Sequence, residues 1–312
     1  MPQLMNSFSS QNFSTEEIDF SSLIDTSIPP EKLEFTIRND YAFKRIFGDP
    51  NNKEALIDLL SLVLSLPKEM FAELTIENPF LPLHFFDEKR EILDMKLTLQ
   101  TGEKINIEMQ NHWQSYFVPR ILYYWSKRYL EHFKGGDDYH KLKPCITISI
   151  LNEPFLYSKR IHSVYQLEET QEHTLLTNFI ELHFLDLTKI GDTNLTPLEK
   201  WLLFIKTTKK EVRDMLAKEN VAMDHANQTL TRFYSDPKER YLYEAAERYE
   251  SDRVSLITES HSKGLQQGLQ QGLQQGLQQG KATIAKNLLA LNIPIEDIVS
   301  ATGLSKETIL SL

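Results

Sequence analysis

The stretch "ILDMKLTLQTGEKINIEMQ", residues 92–110, alternates so strictly that it restricts the fold more than any other part of the chain. Leu93, Met95, Leu97 and Leu99 fall on one face, and Ile92, Asp94, Lys96 and Thr98 on the other. After "QTG" the pattern resumes, with Ile105, Ile107 and Met109 on one side and Asn106, Glu108 and Gln110 on the other. A period of two is the signature of a strand and is incompatible with a helix. Burial of one face then fixes the register, because a slip of one residue turns every side chain over. A two-residue loop, Thr101-Gly102, would set Asp94 against Met109 and split the apolar faces. A three-residue loop, Gln100-Thr101-Gly102, places Gly102 at the left-handed position of such hairpins, pairs Leu99 with Glu103 and sets Asp94 opposite Glu108. Their Cβ atoms are then expected to lie roughly 4.5–5.5 Å apart.

Like charges directly opposed on a sheet destabilise it, so something must offset Asp94 and Glu108. A raised carboxyl pKa, a neighbouring cation such as Lys96, or a bound divalent metal would each serve. Two hard oxygen ligands on rigid strands suit Mg²⁺ or Mn²⁺, which keep the remainder of their shell for water and substrate phosphate. Such an ion activates water and stabilises charge on phosphorus. An ordinary salt-bridged hairpin is the plainer reading of the same residues, and spacing alone leaves both open.

On either side the chain alternates helix and strand. In "RNDYAFKRIFGDPNNKEALIDLLSLVLSLP" Asn39 is expected to cap one helix, Gly48 and Pro50 to end it, Asn51 with Glu54 to open a second, and Pro67 to close that one. "ELTIENPF" reads as a short strand. "SYFVPRILYYWSKRYLEHFKGG" reads as an amphipathic helix presenting Ile121, Leu122, Trp125 and Tyr129 and stopped by Gly135-Gly136. Tyr123, Tyr124 and Trp125 read as core and interface aromatics rather than base-stacking platforms. "KPCITISIL" and "FIELHFLDL" are further strands, and "TPLEKW" opens a helix with Thr196 as cap, Pro197 in the first turn and Glu199 closing the box. The pattern implies an α/β layered core, a mixed sheet flanked by helices, with a helical C-terminal extension.

Composition narrows the function classes. With 41% hydrophobic residues in 312 the chain has enough apolar mass for one sizeable core and small appendages. Its lone cysteine, Cys145, offers neither an internal disulfide nor a zinc-finger spacing, which fits a reducing cytoplasm. A net charge of −10 argues against whole-surface binding to nucleic acid but leaves room for a local basic groove, best placed between Arg120 and Lys143. No apolar run is long enough for a membrane span, and no GxxxxGK[ST] loop indicates a nucleotide cofactor. His112, His132 and His140 fit no metal-binding spacing, and no Ser/His/Asp set is supported.

Taken together, "DYAFKRIFGD", "ILDMKLTLQTGEKINIEMQ", "RILYYWSKRY" and "GGDDYHKLKPCITISIL" resemble the Rpn family of recombination-promoting nucleases and transposases, a branch of the PD-(D/E)XK nuclease superfamily. The resemblance is close over roughly residues 35–155, and the Gly-Leu repeat with its short tail also fits the family. It implies a restriction-endonuclease-like core and a Mg²⁺-dependent DNA endonuclease linked to recombination or mobile-element activity. It also implies that Asp94 and Glu108 are the metal ligands. Gln110 occupies the motif's lysine position; an amide can orient a water but cannot act as a charged clamp. Lys96, on the same face as Asp94, is one replacement cation. Arg120 and Lys127, seven residues apart with Tyr124 between them, are others. Asp40 and Lys44 match a further family pair one helical turn apart. A nuclease-fold DNA-binding or scaffold protein that has lost catalysis is the alternative.

The expected divisions are a flexible tail over 1–33, the nuclease-like core over 34–195, a charged helical region over 196–262, the repeat over 263–281, and a small helix-turn-helix-like unit over 282–312. In the repeat, "GLQQ" recurs four times. Period 4 advances each Leu by about 40° around an α-helix, and each Gly costs about 1 kcal/mol relative to Ala. The repeat therefore reads as a marginal helix, a linker or a weak self-association strip, and a homo-oligomer is left open. The terminal unit offers little beyond Lys306 to reach base edges, so a protein-contact role is favoured over DNA reading.

Overall fold

The computed structural model describes residue 24 and residues 33–77, 95–112, 115–155 and 157–312. Contacts divide the chain into two compact units, Met1–Glu247 and Arg248–Leu312. In the first, six strands form one mixed sheet in the order β1-β2-β3-β4-β6-β5: β1 Thr75–Ile76, β2 Met95–Thr98, β3 Lys104–Gln110, β4 Cys145–Leu151, β5 His162–Glu168 and β6 Leu175–Asp186. The central pairs β3/β4 and β4/β6 are parallel, and the outer pairs are antiparallel.

The β2/β3 hairpin has the register that alternation dictates. Met95 pairs with Ile107, Leu97 with Ile105 and Thr98 with Lys104. The loop closes through Leu99 N donating to Glu103 O (2.9 Å) and Gly102 N donating to Leu99 O (2.9 Å). Gly102 has φ 95°, a conformation that costs glycine little and an L side chain much.

The two sheet faces are packed differently. Met95, Leu97, Ile105, Ile107, Ile146, Ile148 and Ile150 face a large core built with α1 Asp40–Phe47, α2 Glu54–Leu64, α4 Pro197–Lys206, α5 Lys210–Ala217, α6 Val221–Ser235 and the first turns of α7 Pro237–Ala290. At its centre Trp201 is fully buried, and its indole N–H donates to Asp58 Oδ2 (2.6 Å), which satisfies the ring's one polar atom. Among the described residues the opposite face meets a single helix, α3 Phe117–Tyr129. There Phe117 and Ile121 close a smaller cluster with Leu151, Phe155, Leu182 and Phe184. The connection β3-α3-β4 is the long crossover that a parallel pair requires.

Local signals placed some helix ends and missed others. Asn39 accepts from Tyr41 N and Ala42 N as the α1 cap, Gly48 ends that helix, and Thr196 with Glu199 forms a complete capping box on α4. The expected Asn51–Glu54 cap does not form: α2 starts from Lys53 with no side-chain cap, and Asn51 N donates to Asp49 Oδ1 instead. α2 ends at Ser65 in the left-handed region, two residues before Pro67. α3 stops at Leu130, ahead of Gly135-Gly136, with the left-handed His132 (φ 70°) turning the chain. Leu122 lies on the exposed side of α3, and the buried stripe is Phe117, Ile121 and Arg128. Strand β5 had no expectation over "HSVYQLE", because its central and last residues are exposed on both faces of an edge strand and show no alternation.

The second unit holds the rest of α7 with α8 Ile295–Thr302 and α9 Lys306–Leu310. The GLQQ repeat is continuous helix within α7, where the sequence alone suggested a marginal one. Helix extends through the repeat from good helix-forming flanks, so the repeat need not supply its own nucleus. Gly303 (φ 67°) ends α8 and Ser305 caps α9 through Thr308 N. Ala285, Ile298, Leu304 and Ile309 form its small core.

Candidate functional site

Beneath α3 the sheet carries a polar strip beside the apolar cluster. The parallel register sets Asn106 next to Thr147 and Glu108 next to Ser149, all fully or nearly fully buried. The Asn106 amide and the Thr147 hydroxyl find no hydrogen-bond partner among the described residues. Buried polar groups left so cost about 1–3 kcal/mol each, so stability alone does not explain a strip of them.

Glu108 is the strip's ionisable centre. Ser149 Oγ donates to its Oε1 (2.9 Å), and Arg120 Nη2 lies 3.7 Å from its Oε2. Burial holds the Glu108 carboxyl above the usual carboxylate range, against the opposing pull of Arg120 and the Ser149 hydroxyl. Two residues on, Gln110 Oε1 accepts from the same Arg120 Nη2 (2.5 Å), while Gln110 Nε2 donates to His112 O. Arg120 therefore brings a guanidinium to both positions, the buried acid and the Gln110 amide. It can do so because α3 follows β3 directly and Arg120 sits one turn into the helix beside Phe117 and Ile121, whose rings and branches fix that face.

The site lies towards the carboxyl ends of two parallel strands, where open α/β sheets leave a crevice. The chain before α1 is tied to those ends. Arg38 Nη1 donates to Asn152 Oδ1 (2.7 Å), Asn111 Nδ2 donates to Arg38 O (2.9 Å), and Asn152 N donates to Gln110 O (3.0 Å). Asp40 follows Arg38 by two residues and pairs with Lys44 across one turn of α1 (3.1 Å).

Other residues singled out from the sequence are placed as follows. Asp94 lies outside the described residues, which begin again at Met95, the partner of Ile107. Lys96 pairs with Asn106 in the ladder and its ammonium is 4.0 Å from Glu131 Oε1, just beyond the end of α3. Tyr124 is half-buried and meets Tyr123 edge to face. Lys127 is exposed, its ammonium 5.3 Å from the Tyr123 ring centre, and so is not brought to Glu108. Trp125 packs against the smaller cluster and donates its indole N–H to Cys145 O (2.7 Å), but Tyr123 is 55% exposed and is no core aromatic. Ser149 was not anticipated. Its signal was present in "CITISIL", where Thr147 and Ser149 place hydroxyls at period two in an otherwise apolar strand.

A model of the PD-(D/E)XK nuclease family transposase matches residues 37–260, well over half of the chain. The chain belongs to that family. The mixed sheet flanked by helices is the restriction-endonuclease-like core of the family, and the matched span takes in β2, β3, α3 and every helix up to the middle of α7. Comparison with curated proteins and with solved structures returns no match. The family's nucleases use divalent metals, and Glu108 offers one hard oxygen donor of the right kind, a buried carboxylate whose ionised form a cation would favour. Among the described residues no group of three or more His, Cys, Asp or Glu side chains is gathered to hold an ion. No described helix is long and apolar enough to cross a membrane.

Proposed function

We propose that the protein is a Mg²⁺-dependent, or Mn²⁺-dependent, DNA endonuclease that hydrolyses phosphodiester bonds during recombination or mobile-element activity, in the cytoplasm. The observation that carries this reading is the buried Glu108, held by Ser149 and faced by Arg120 at the strand ends of a nuclease-family core. The alternation along residues 92–110 puts Asp94 on the Glu108 face of the hairpin, and these two carboxylates would hold the ion. Bound there, the ion would supply a Lewis acid for the phosphate and an acidified water. Arg120, already shared between Glu108 and Gln110, takes the place of the missing lysine as the fixed positive charge that meets a phosphate oxygen. Gln110 then orients rather than charges the site, its carbonyl holding Arg120 in line. Asp40 and Lys44, paired across one turn of α1, would meet the flanking backbone.

Plasmid DNA incubated with the purified protein is expected to be cut with Mg²⁺ and spared with chelator. Glu108→Gln is expected to lower the rate by about 10²-fold or more. Residual cutting equal to wild type in that variant would mean that the activity is not this protein's.

One observation favours a second reading, a DNA-binding or scaffold protein without catalysis: Gln110 is committed to Arg120 and the His112 carbonyl and carries no charge. On that reading no metal stimulates cleavage, and Gln110→Lys either restores it or changes nothing. Oligomer formation through the repeat would appear as a change in mass by light scattering when residues 264–312 are removed.

A further inference from the structure

The side of α3 turned away from the sheet carries aromatic and basic residues that the core does not use. Tyr116 at its N-terminus is 56% exposed and Tyr123 55%. Lys127 lies over the Tyr123 ring at 5.3 Å and, among the described residues, forms no ion pair. At 100° per residue, Tyr116, Tyr123 and Lys127 sit about 40°, 60° and 20° from Arg120, all on the same side of the helix. They therefore form one ridge whose inner border is the guanidinium that faces Glu108. Seven residues separate the two rings, about 10 Å along the helix, or roughly three nucleotide steps of 3.4 Å.

We infer that this ridge is a stacking platform for unpaired bases, so that the substrate enters the Glu108 site as single-stranded DNA or as the unpaired part of a branched or nicked duplex. This rests on the nuclease reading and names its substrate class. The chemistry separates the two forms of DNA. An intact duplex offers a protein surface mainly phosphates, and a protein that grips it by phosphate contacts needs several unneutralised cations. Here the chain is acidic overall, at −10, and Lys141 at the far end of the segment is already paired with Asp137 at 2.7 Å. On the ridge itself Lys127 and Arg120 can meet one or two phosphates, and the exposed rings supply the rest of the affinity there. Rings do so only for bases whose faces are free, and stacking is tolerant of sequence because every base has a π-face. A strand lying along the ridge would rest bases on Tyr116 and Tyr123 and pass its backbone over Lys127 and Arg120 to Glu108.

The test uses full-length Glu108→Gln protein in chelator, so that nothing is cut, and fluorescence anisotropy with a labelled oligonucleotide alone and annealed to its complement. The unpaired form is expected to bind at least tenfold more tightly. Tyr123→Ala and Tyr116→Ala should each weaken it about tenfold while leaving the duplex within twofold, and Tyr123→Phe, which keeps the ring, should restore it. Equal affinity for the two forms, or no effect of Tyr123→Ala, overturns the platform. Cleavage by the wild-type protein separates the two readings. Duplex cut as fast as single strand, with no dependence on Tyr123, leaves the nuclease and removes the platform. Ring-dependent binding with no cleavage of either form leaves the platform and removes the nuclease.

Discussion

Arg120 and Arg128 stand eight residues apart on the same face of α3, yet their surroundings differ in a way that separates structure from chemistry. Both terminal nitrogens of Arg128 are engaged. Its guanidinium meets the Glu77 carboxylate with two nitrogens (2.6 and 2.7 Å), also meets Glu131, and donates to Leu97 O and Thr98 Oγ1 (both 3.0 Å). Beside it Lys104 donates to the carbonyls of Arg128 (3.0 Å) and Glu131 (2.8 Å), closing the helix end where the macrodipole favours a cation. Arg120 lies 3.7 Å from Glu108, beyond hydrogen-bond reach, and shares its charge with a neutral amide. The acids respond in opposite directions. Burial raises Glu77, but its bonds from Arg128 and Thr98 outweigh that and hold it below the usual range. Burial raises Glu108, and Arg120 and Ser149 do not outweigh it. A buried acid whose partners satisfy it fastens the fold, whereas one left protonation-prone can gain from a cation or exchange a proton.

The comparison breaks most visibly at Arg128. Arg128→Ala leaves Glu77 and Glu131 without their buried partner and is expected to cost about 3–5 kcal/mol in chemical unfolding. Arg120→Ala should cost about 1 kcal/mol or less in the same measurement, yet lower cleavage about 10²-fold, the usual loss when a preorganised charge is removed from a reacting group. Equal stability losses at the two arginines would erase the distinction.

Glu108→Gln sharpens the other half. Because the folded carboxyl is raised, the native state holds its proton more tightly than the unfolded chain. The stabilising contribution is therefore complete below the unfolded pKa and is lost as pH rises through the folded value. Removing the ionisation should raise Tm at neutral pH by ~2–4 °C, the shift for about 1 kcal/mol in a unit of this size. Mg²⁺ should raise the Tm of the wild-type protein and leave that of Glu108→Gln unchanged, since a ligand stabilises only the state that binds it.

The smallest effect lies away from α3. On β5 and β6, His162 Nε2 and His183 Nδ1 share a hydrogen bond (3.0 Å), and burial together with His183 pushes His162 down from 6.5 to about 4. A depressed histidine keeps its full contribution above the unfolded pKa and loses it as pH falls towards the folded value. Tm should therefore drop on acidification from about pH 6.5 to about pH 4. His162→Phe should flatten that slope by a few degrees; an unchanged slope would assign the acid sensitivity elsewhere.

Much of this was legible along the chain because its causes are local. Alternation and Gly102 defined the β2/β3 register, and Thr196, Pro197 and Glu199 marked the start of α4 within four residues of one another. The seven-residue spacing of Arg120 and Lys127 put both on one helical face, and it is Arg120 that comes within 3.7 Å of Glu108. Of the aromatics read as core and interface residues, Tyr123 falls outside the core, because a row of three, Tyr123, Tyr124 and Trp125, spans most of a helical turn and cannot all face inward. Alternation gave Lys96 its face, and the ladder pairs it with Asn106, but the approach of Glu131 from across the layer could not be read from the strand alone. Strand β5 was missed because an edge strand exposed on both sides has no periodicity to read.

What the sequence determined by itself is therefore what repeats within a few residues: strand faces, helix caps, the hairpin and the family motifs in their order. Tertiary structure decided which distant residues share an environment. Ser149 reaches Glu108 across 41 positions and Arg128 reaches Glu77 across 51, through parallel pairing and the seating of α3 on the sheet. The charge state of Glu108 belongs to the same class. A carboxyl is an ordinary acid until a helix covers it, and how far its proton is held depends on the water that α3 excludes and on the distance at which Arg120 comes to rest.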